Sequence, residues 1–299
     1  MKNLKMFVMA MMAILTSICF VACDSDDDNT GNPVSLKGRW YNKTESLRDL
    51  LIINEDNSVV AYRVYNYESH EDIHGVLTVN GTNLSISFED GNRVSGTFAI
   101  TENTLSINTS NGVYTYSRLA DETDLVGKWD YSNITFSAKP VKDEIVIPGG
   151  TINGQVVPPT IMQTSQLSGE FIKYAAQRYF RNVEFKNDGT FTYDVLTNGE
   201  DYPMTKNYAI DGLYLTVSGE TAEHEIESTF KVLQSKDKNT VYFVFDKEDV
   251  ANMFIGYALM LFEGGVAPEV TDEALEDYKK AFTEAFDYYS VEFIITRAE

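Results

Sequence analysis

The sequence predicts a mainly β protein built as two tandem antiparallel β-barrel domains, the second carrying loop and helix inserts. Three observations lead there. A five-residue phrase occurs twice, as Leu36-Lys37-Gly38-Arg39-Trp40 and as Leu125-Val126-Gly127-Lys128-Trp129. Each copy opens a series of β-type runs that closes on an aromatic-rich strand ending in arginine: Tyr114-Thr115-Tyr116-Ser117-Arg118 and Phe293-Ile294-Ile295-Thr296-Arg297. Between them lies a shared landmark, Ile53-Asn54-Glu55-Asp56-Asn57-Ser58-Val59 against Phe185-Lys186-Asn187-Asp188-Gly189-Thr190-Phe191.

The chain begins with an address. Lys2 and Lys5 precede an apolar stretch from Met6 to Ile18, shorter than the roughly 20 residues a membrane-spanning helix needs. Residues 1–22 therefore read as a signal peptide. Phe20-Val21-Ala22 runs directly into Cys23, which resembles the lipobox of bacterial lipoproteins, where a cysteine is acylated and becomes the new N-terminus. The chain's two cysteines are Cys19 and Cys23; removal of the leader leaves one thiol, at the position of the lipid, and no internal disulfide. Acyl chains on Cys23, diacylglycerol and palmitate in kind, anchor stably because each buried methylene contributes about 0.8 kcal/mol. Residues 23–34 contain the run Asp24-Ser25-Asp26-Asp27-Asp28 and read as an acidic, solvated tether. Such acids behind a lipidated cysteine resemble the signal that sends some Gram-negative lipoproteins to the outer face of the outer membrane. A calcium loop is excluded here, because Asn29 stands where the loop needs glycine and Ser35 where it needs glutamate.

Two of the 24 basic residues, Lys2 and Lys5, lie in the leader, so 22 remain against 45 acids, a side-chain charge of −23. That surplus repels nucleic acid and anionic lipid surfaces. The remaining 277 residues exceed one small core, and two domains follow, at 35–120 and 123–299.

In residues 35–120 eight short runs are separated by turn signals such as Asn80-Gly81, Asp90-Gly91 and Asn111-Gly112. Asn-Gly and Asp-Gly between alternating runs mark hairpins, since both central positions take positive φ. Eight strands on short connections describe an up-and-down barrel. The second repeat spreads the same landmarks. Trp40 to Asp56 is 16 positions and Trp129 to Asp188 is 59, so about 43 residues enter after its first strand. The insert, 138–181, holds Pro140, Pro148, Pro158 and Pro159. It reads as an extended loop with a small hairpin between Glu144–Ile147 and Val156–Val157, then a helix from Gln166 to Phe180. Six strands resume at 182–246. A second insert, 247–289, reads as two helices: Lys247 to Phe262, N-capped by Asp246, and an amphipathic Thr271 to Tyr289.

The Gly-x-Trp opening, the antiparallel run and the terminal arginine resemble the lipocalin superfamily of β-barrels. The resemblance implies that Trp40 with Arg118, and Trp129 with Arg297, close the bottoms of the two barrels by an arginine packed on the indole face. These are structural roles. It also implies tandem lipocalin-like domains of the kind found in bacterial surface lipoproteins.

No catalytic set assembles. His70-Glu71-Asp72-Ile73-His74 has the zinc-protease spacing, but that chemistry requires a helix, and Gly75 with flanking strands predicts a polar loop. His224 sits among acids, and the mature chain has no cysteine nucleophile. The reading is a non-enzyme with no cofactor and no metal site. Two binding readings stay open. A small hydrophobic ligand sits in the second barrel under the inserts, with Phe171, Tyr174, Met253, Phe254, Tyr257 and Leu261 as apolar walls. Alternatively those residues present an apolar face to an envelope protein or glycan. If Cys23 carries the anchor, Cys23→Ala releases the protein from the membrane fraction and abolishes fatty-acid labelling; persistence of both would refute the anchor.

Overall fold

The computed structural model describes residues 34–42, 49–63, 73–147, 150–152, 155–157, 159–167, 173, 177, 181–197, 199–220, 225–252 and 272–298. They form two compact units, the first ending at Leu119 and the second beginning at Ala120.

The first unit is a closed barrel of eight antiparallel strands in sequence order. They are β1 (Gly38–Asn42), β2 (Asp49–Ile53), β3 (Ser58–Arg63), β4 (Ile73–Asn80), β5 (Asn83–Phe88), β6 (Arg93–Ile100), β7 (Thr104–Thr109) and β8 (Gly112–Arg118). Period-two alternation sends one face inward. Leu77 of β4, Leu84 and Ile86 of β5, and Leu105 and Ile107 of β7 meet in one buried cluster around Trp40. Gly96 of β6 allows a close approach of the neighbouring strand, because a Cβ there would lie 2.1 Å from the Asn108 carbonyl oxygen.

The second unit uses the same plan with longer strands. Its barrel order is β14-β15-β16-β17-β18-β19-β20-β9. The ranges are β9 (Gly127–Pro140), β14 (Arg181–Phe185), β15 (Thr190–Thr197), β16 (Glu200–Asp211), β17 (Tyr214–Glu220), β18 (Glu225–Gln234), β19 (Thr240–Phe245) and β20 (Phe286–Arg297). Between β9 and β14 lie β10 (Glu144–Ile147), β11 (Gly150–Ile152), β12 (Gln155–Val157), β13 (Thr160–Gln163) and a 3-10 turn, Thr164–Gln166. Between β19 and β20, residues 247–252 are helical, and helix α1 spans Asp272–Ala285. Asp246 caps the first of these segments, its Oδ1 accepting from the Glu248 and Asp249 amides at 2.9 and 3.0 Å. The Asp249 carboxylate accepts in return from the Asp246 amide at 3.0 Å, a reciprocal cap.

Two sequence expectations change. Glu144–Ile147 does not pair with 156–157. β10 pairs with β13, Ile145 opposite Met162, and β11 pairs with β12, Thr151 opposite Val156. The two pairings nest, one inside the other along the chain. The final helix also ends earlier than Tyr289. The amide of Val141, just past β9, donates to the Ala285 carbonyl at 2.9 Å and takes up one of the helix's terminal acceptors. Phe286 then stands opposite Pro140 and Tyr289 opposite Ala138 in β20. Phe286 and Tyr289 still join the core, so their apolar spacing was real and only its period was misassigned. Of the helix expected over 166–180, Gln166 ends the 3-10 turn and Leu167 is a bend; within 168–180 only Lys173 and Gln177 are described, both helical. Residues 253–262 of the helix expected over 247–262 lie outside the described residues.

Each barrel closes on its repeated phrase, and every defined position of Leu-x-Gly-x-Trp has a physical task. In the closing pairs Trp40 stands opposite Arg118 and Trp129 opposite Arg297. Cross-strand partners share a face, so each guanidinium reaches its indole: the guanidinium carbon is 4.1 Å from the Trp40 ring centroid and 4.3 Å from that of Trp129. The indole N–H donates back to the leucine carbonyl, to Leu36 at 2.8 Å and Leu125 at 2.6 Å. The arginine donates to the carbonyl of the next residue, Lys37 at 2.8 Å and Val126 at 2.9 Å. Arg118 also donates to the Ser35 carbonyl. The glycine is needed twice over. Gly38 and Gly127 have φ of 118° and 126°, and a Cβ on Gly127 would lie 2.5 Å from Arg297 Nη1.

The second landmark is likewise one turn used twice. Asp56 Oδ1 accepts from the Ser58 amide and hydroxyl at 2.9 and 2.6 Å, and Asp188 Oδ1 accepts from Thr190 at the same two distances. These bonds hold both carboxyls below the usual carboxylate range. The following residues, Asn57 and Gly189, take φ of 66° and 80°.

Loss of the guanidinium removes a cation–π contact of about 0.5–2 kcal/mol and a carbonyl hydrogen bond of about 1 kcal/mol. Arg297→Ala is therefore expected to destabilise the second unit by roughly 1.5–3 kcal/mol, and Arg297→Lys to recover only part of it. Urea unfolding followed by the fluorescence of Trp129 in a Trp40→Phe background measures both; an unchanged midpoint would remove the lock from its structural role.

Candidate functional site

The second barrel contains a cavity of about 140 Å³. It exists because six strands each send a pair of residues, two apart, to the inner face. β14 supplies Val183 and Phe185, β15 supplies Phe191 and Tyr193, and β17 supplies Leu215 and Val217. β18 adds Ser228 and Phe230, β19 adds Phe243 and Phe245, and β20 adds Phe293 and Ile295. Apart from the hydroxyls of Ser228 and Tyr193 these side chains are hydrocarbon, and no ionisable acid or base other than the phenol is among them.

The aromatic members touch one another and form a belt. Phe185 stacks on Phe191 with centroids 5.1 Å apart, and Phe191 on Tyr193 at 5.5 Å. On the other side Phe243 meets Phe293 at 6.1 Å and Phe230 at 5.9 Å, and Phe230 meets Phe245 at 4.5 Å. Phe185 and Phe243 join the two arcs at 6.4 Å. Rings held in mutual contact resist collapse into the space between them, which keeps the cavity open.

Toward the Trp129 end, Val232 and Val241 are fully buried in the same core. Toward the other end the inner face of β20 continues through Val291 to Tyr289, which meets Phe282 of α1 at 5.2 Å and Phe136 of β9 at 5.0 Å. Ile145 of β10 and Leu167 complete this upper part of the core. Tyr289 ties the two inserts together, its hydroxyl donating to the Leu167 carbonyl at 3.0 Å. Outside, Lys142 beyond β9 pairs with Glu284 at 2.9 Å and Lys139 with Asp287 at 2.6 Å. These exposed pairs position the end of α1 but contribute little to stability.

The six side chains expected to wall the pocket, Phe171, Tyr174, Met253, Phe254, Tyr257 and Leu261, lie outside the described residues, as do Cys23, His70 and His224. The lining that is described comes instead from the barrel strands. Its signal was present in the sequence as alternation: Phe185, Phe191, Phe243 and Phe293 each recur two residues from another apolar side chain. His74 lies exposed in β4, on a strand and not on the helix that the zinc-protease arrangement needs. Among the described residues no three or more His, Cys, Asp and Glu side chains are placed to hold a metal ion. Among them, too, no helix is long and apolar enough to cross a membrane. Trp40, Arg118, Trp129 and Arg297 sit in the two barrel locks. No known family model matches the chain, and no curated protein matches it.

Burial raises the phenols of Tyr193 and Tyr289 above the usual tyrosine value. An acid raised in the fold contributes stability that is present below its unfolded pKa, near 10, and lost as pH rises beyond it. Tyr289 is only 2% exposed and should dominate. Stability of Tyr289→Phe is accordingly expected to fall less steeply above about pH 10 than that of the unaltered chain. Urea midpoints between neutral and strongly alkaline pH measure the two slopes.

Proposed function

We propose that the protein is a non-catalytic, lipid-anchored surface protein of a Gram-negative outer membrane whose second, lipocalin-like domain binds a small hydrophobic ligand. The observation that carries the binding role is the apolar cavity inside the second barrel. A space lined almost wholly by hydrocarbon hydrates poorly and favours an apolar molecule that fits. The lipocalin likeness is supported by the eight-stranded up-and-down closure and by the arginine packed on the tryptophan of the Gly-x-Trp phrase. The anchor and address are supported by the leader, the Val-Ala-Cys junction and the acidic residues behind Cys23.

The absence of catalysis is part of the same reading. Among the described residues, the site built from phenylalanines and aliphatic side chains holds no nucleophile paired with a base and no cluster of acids, and its hydroxyls are those of Ser228 and Tyr193.

Native mass spectrometry of the protein isolated gently from cells, together with displacement of a hydrophobic fluorescent dye, tests the reading. Expected is a small adduct that is lost on unfolding, and dye displacement that Phe243→Ala alters. A protein that carries no adduct and binds no apolar probe would sink the ligand role.

A further inference from the structure

The size and lining of the cavity say more about the ligand than that it is apolar. We infer that the second barrel selects a neutral, planar aromatic molecule of one or two fused rings. The inference rests on the ligand-binding reading above and narrows it to one chemical class.

Volume sets the first limit. Apolar cavities of about 150 Å³ take up benzene, and this one is about 140 Å³. A single ring with one or two substituents fits, and a compact fused pair fits with slight movement of the walls. An acyl chain of twelve carbons has roughly twice the non-hydrogen atoms of such a ring and would leave part of its length outside the lined space.

Shape and electronics set the second. The rings of the belt are held at two kinds of mutual angle, near-parallel in the set Phe185, Phe191 and Tyr193 and perpendicular between Phe230 and Phe243, which cross at 81°. A flat guest among rings so fixed can stack on one and meet another edge-on, the two arrangements aromatic pairs prefer. A saturated ring of the same carbon count is thicker and has no quadrupole to match.

Charge sets the third. Among the described residues no Asp, Glu, Lys, Arg or His lines the space, so an ion entering it would lose hydration without gaining a partner there. The two hydroxyls at Ser228 and Tyr193 leave room for one polar substituent, such as an N–H or a phenol.

The test is a titration of the purified full chain with methyl-labelled isoleucine, leucine and valine, using toluene, indole, methylcyclohexane and dodecanoate as probes. Toluene and indole are expected to bind saturably, to shift the methyl signals of Leu215, Val217 and Ile295, and to bind at least tenfold more tightly than the other two. Two cavity fillers at cross-strand partner positions, Val217→Phe and Ser228→Phe, locate the site: whichever keeps the melting transition should abolish the shifts. If methylcyclohexane or dodecanoate binds as well as toluene, the aromatic class is wrong while a hydrophobic ligand survives. If none of the four binds, both readings fall. The probe series on the unaltered chain decides between these outcomes even where a filler fails to fold.

Discussion

The structure depends on one contact made twice, an arginine guanidinium laid on a tryptophan ring at the seam where each barrel closes. In the first barrel that seam is short, three register pairs from β1 to β8, while in the second β9 and β20 share eleven, with a register shift between Ile294 and Ile295 beside the lock. A slip of one residue along a strand would turn every inward side chain out. The lock opposes it, because its parts are mutually dependent. The indole takes the leucine carbonyl and the guanidinium takes the next one, and in the second barrel a Cβ at position 127 would collide with the guanidinium.

Given that shared closure, the two interiors diverge through strand length. Strands of the first barrel run from five to eight residues, and its core around Trp40 is mostly aliphatic, with Phe88 and Tyr116 among its buried members. In the second, β9 has 14 residues and β16 and β20 have 12 each. The added height places a ring of aromatics between the lock below and the insert-capped core above. Aromatic rings are rigid, so a layer of them touching edge to face spans the barrel without filling it. The same construction with leucine and valine would be expected to pack closed, since branched aliphatic side chains interdigitate.

Much of this was legible in the residues. The repeated phrase, the paired aspartate turns and the hairpin signals located all eight strands of the first barrel and the strand sequence of the second. What was not legible depends on contacts far apart in the chain. Phe286 and Tyr289 carry a helical spacing from Phe282, and nothing local reveals that Pro140 and Ala138 will recruit them into a strand. Residues 144–147 found their partner at 160–163 and not at 156–157 because β11 and β12 pair with each other between them. The expected walls Phe171, Tyr174, Met253, Phe254, Tyr257 and Leu261 belong to the inserts and lie outside the described residues, while the described belt belongs to strands both repeats share. Phe185 and Phe191 were in view from the start as flanks of the acidic turn; their inward direction follows from strand parity, and their joint enclosure of a space only from the closed barrel.

The lock also separates the two units in time. Trp40 and Arg118 are 78 residues apart in sequence, whereas Trp129 and Arg297 are separated by 168. The longer loop costs only roughly 0.7 kcal/mol more in closure entropy, since that term grows with the logarithm of length. Its effect falls on the rate, because folding slows as native contacts become more distant along the chain. The first barrel can complete itself while the second still lacks its last strand. Until β20 arrives, β9 and β19 each keep an unpaired edge and the aromatic belt stands open to solvent, so this interval is when the chain is most exposed to mispairing with its neighbours.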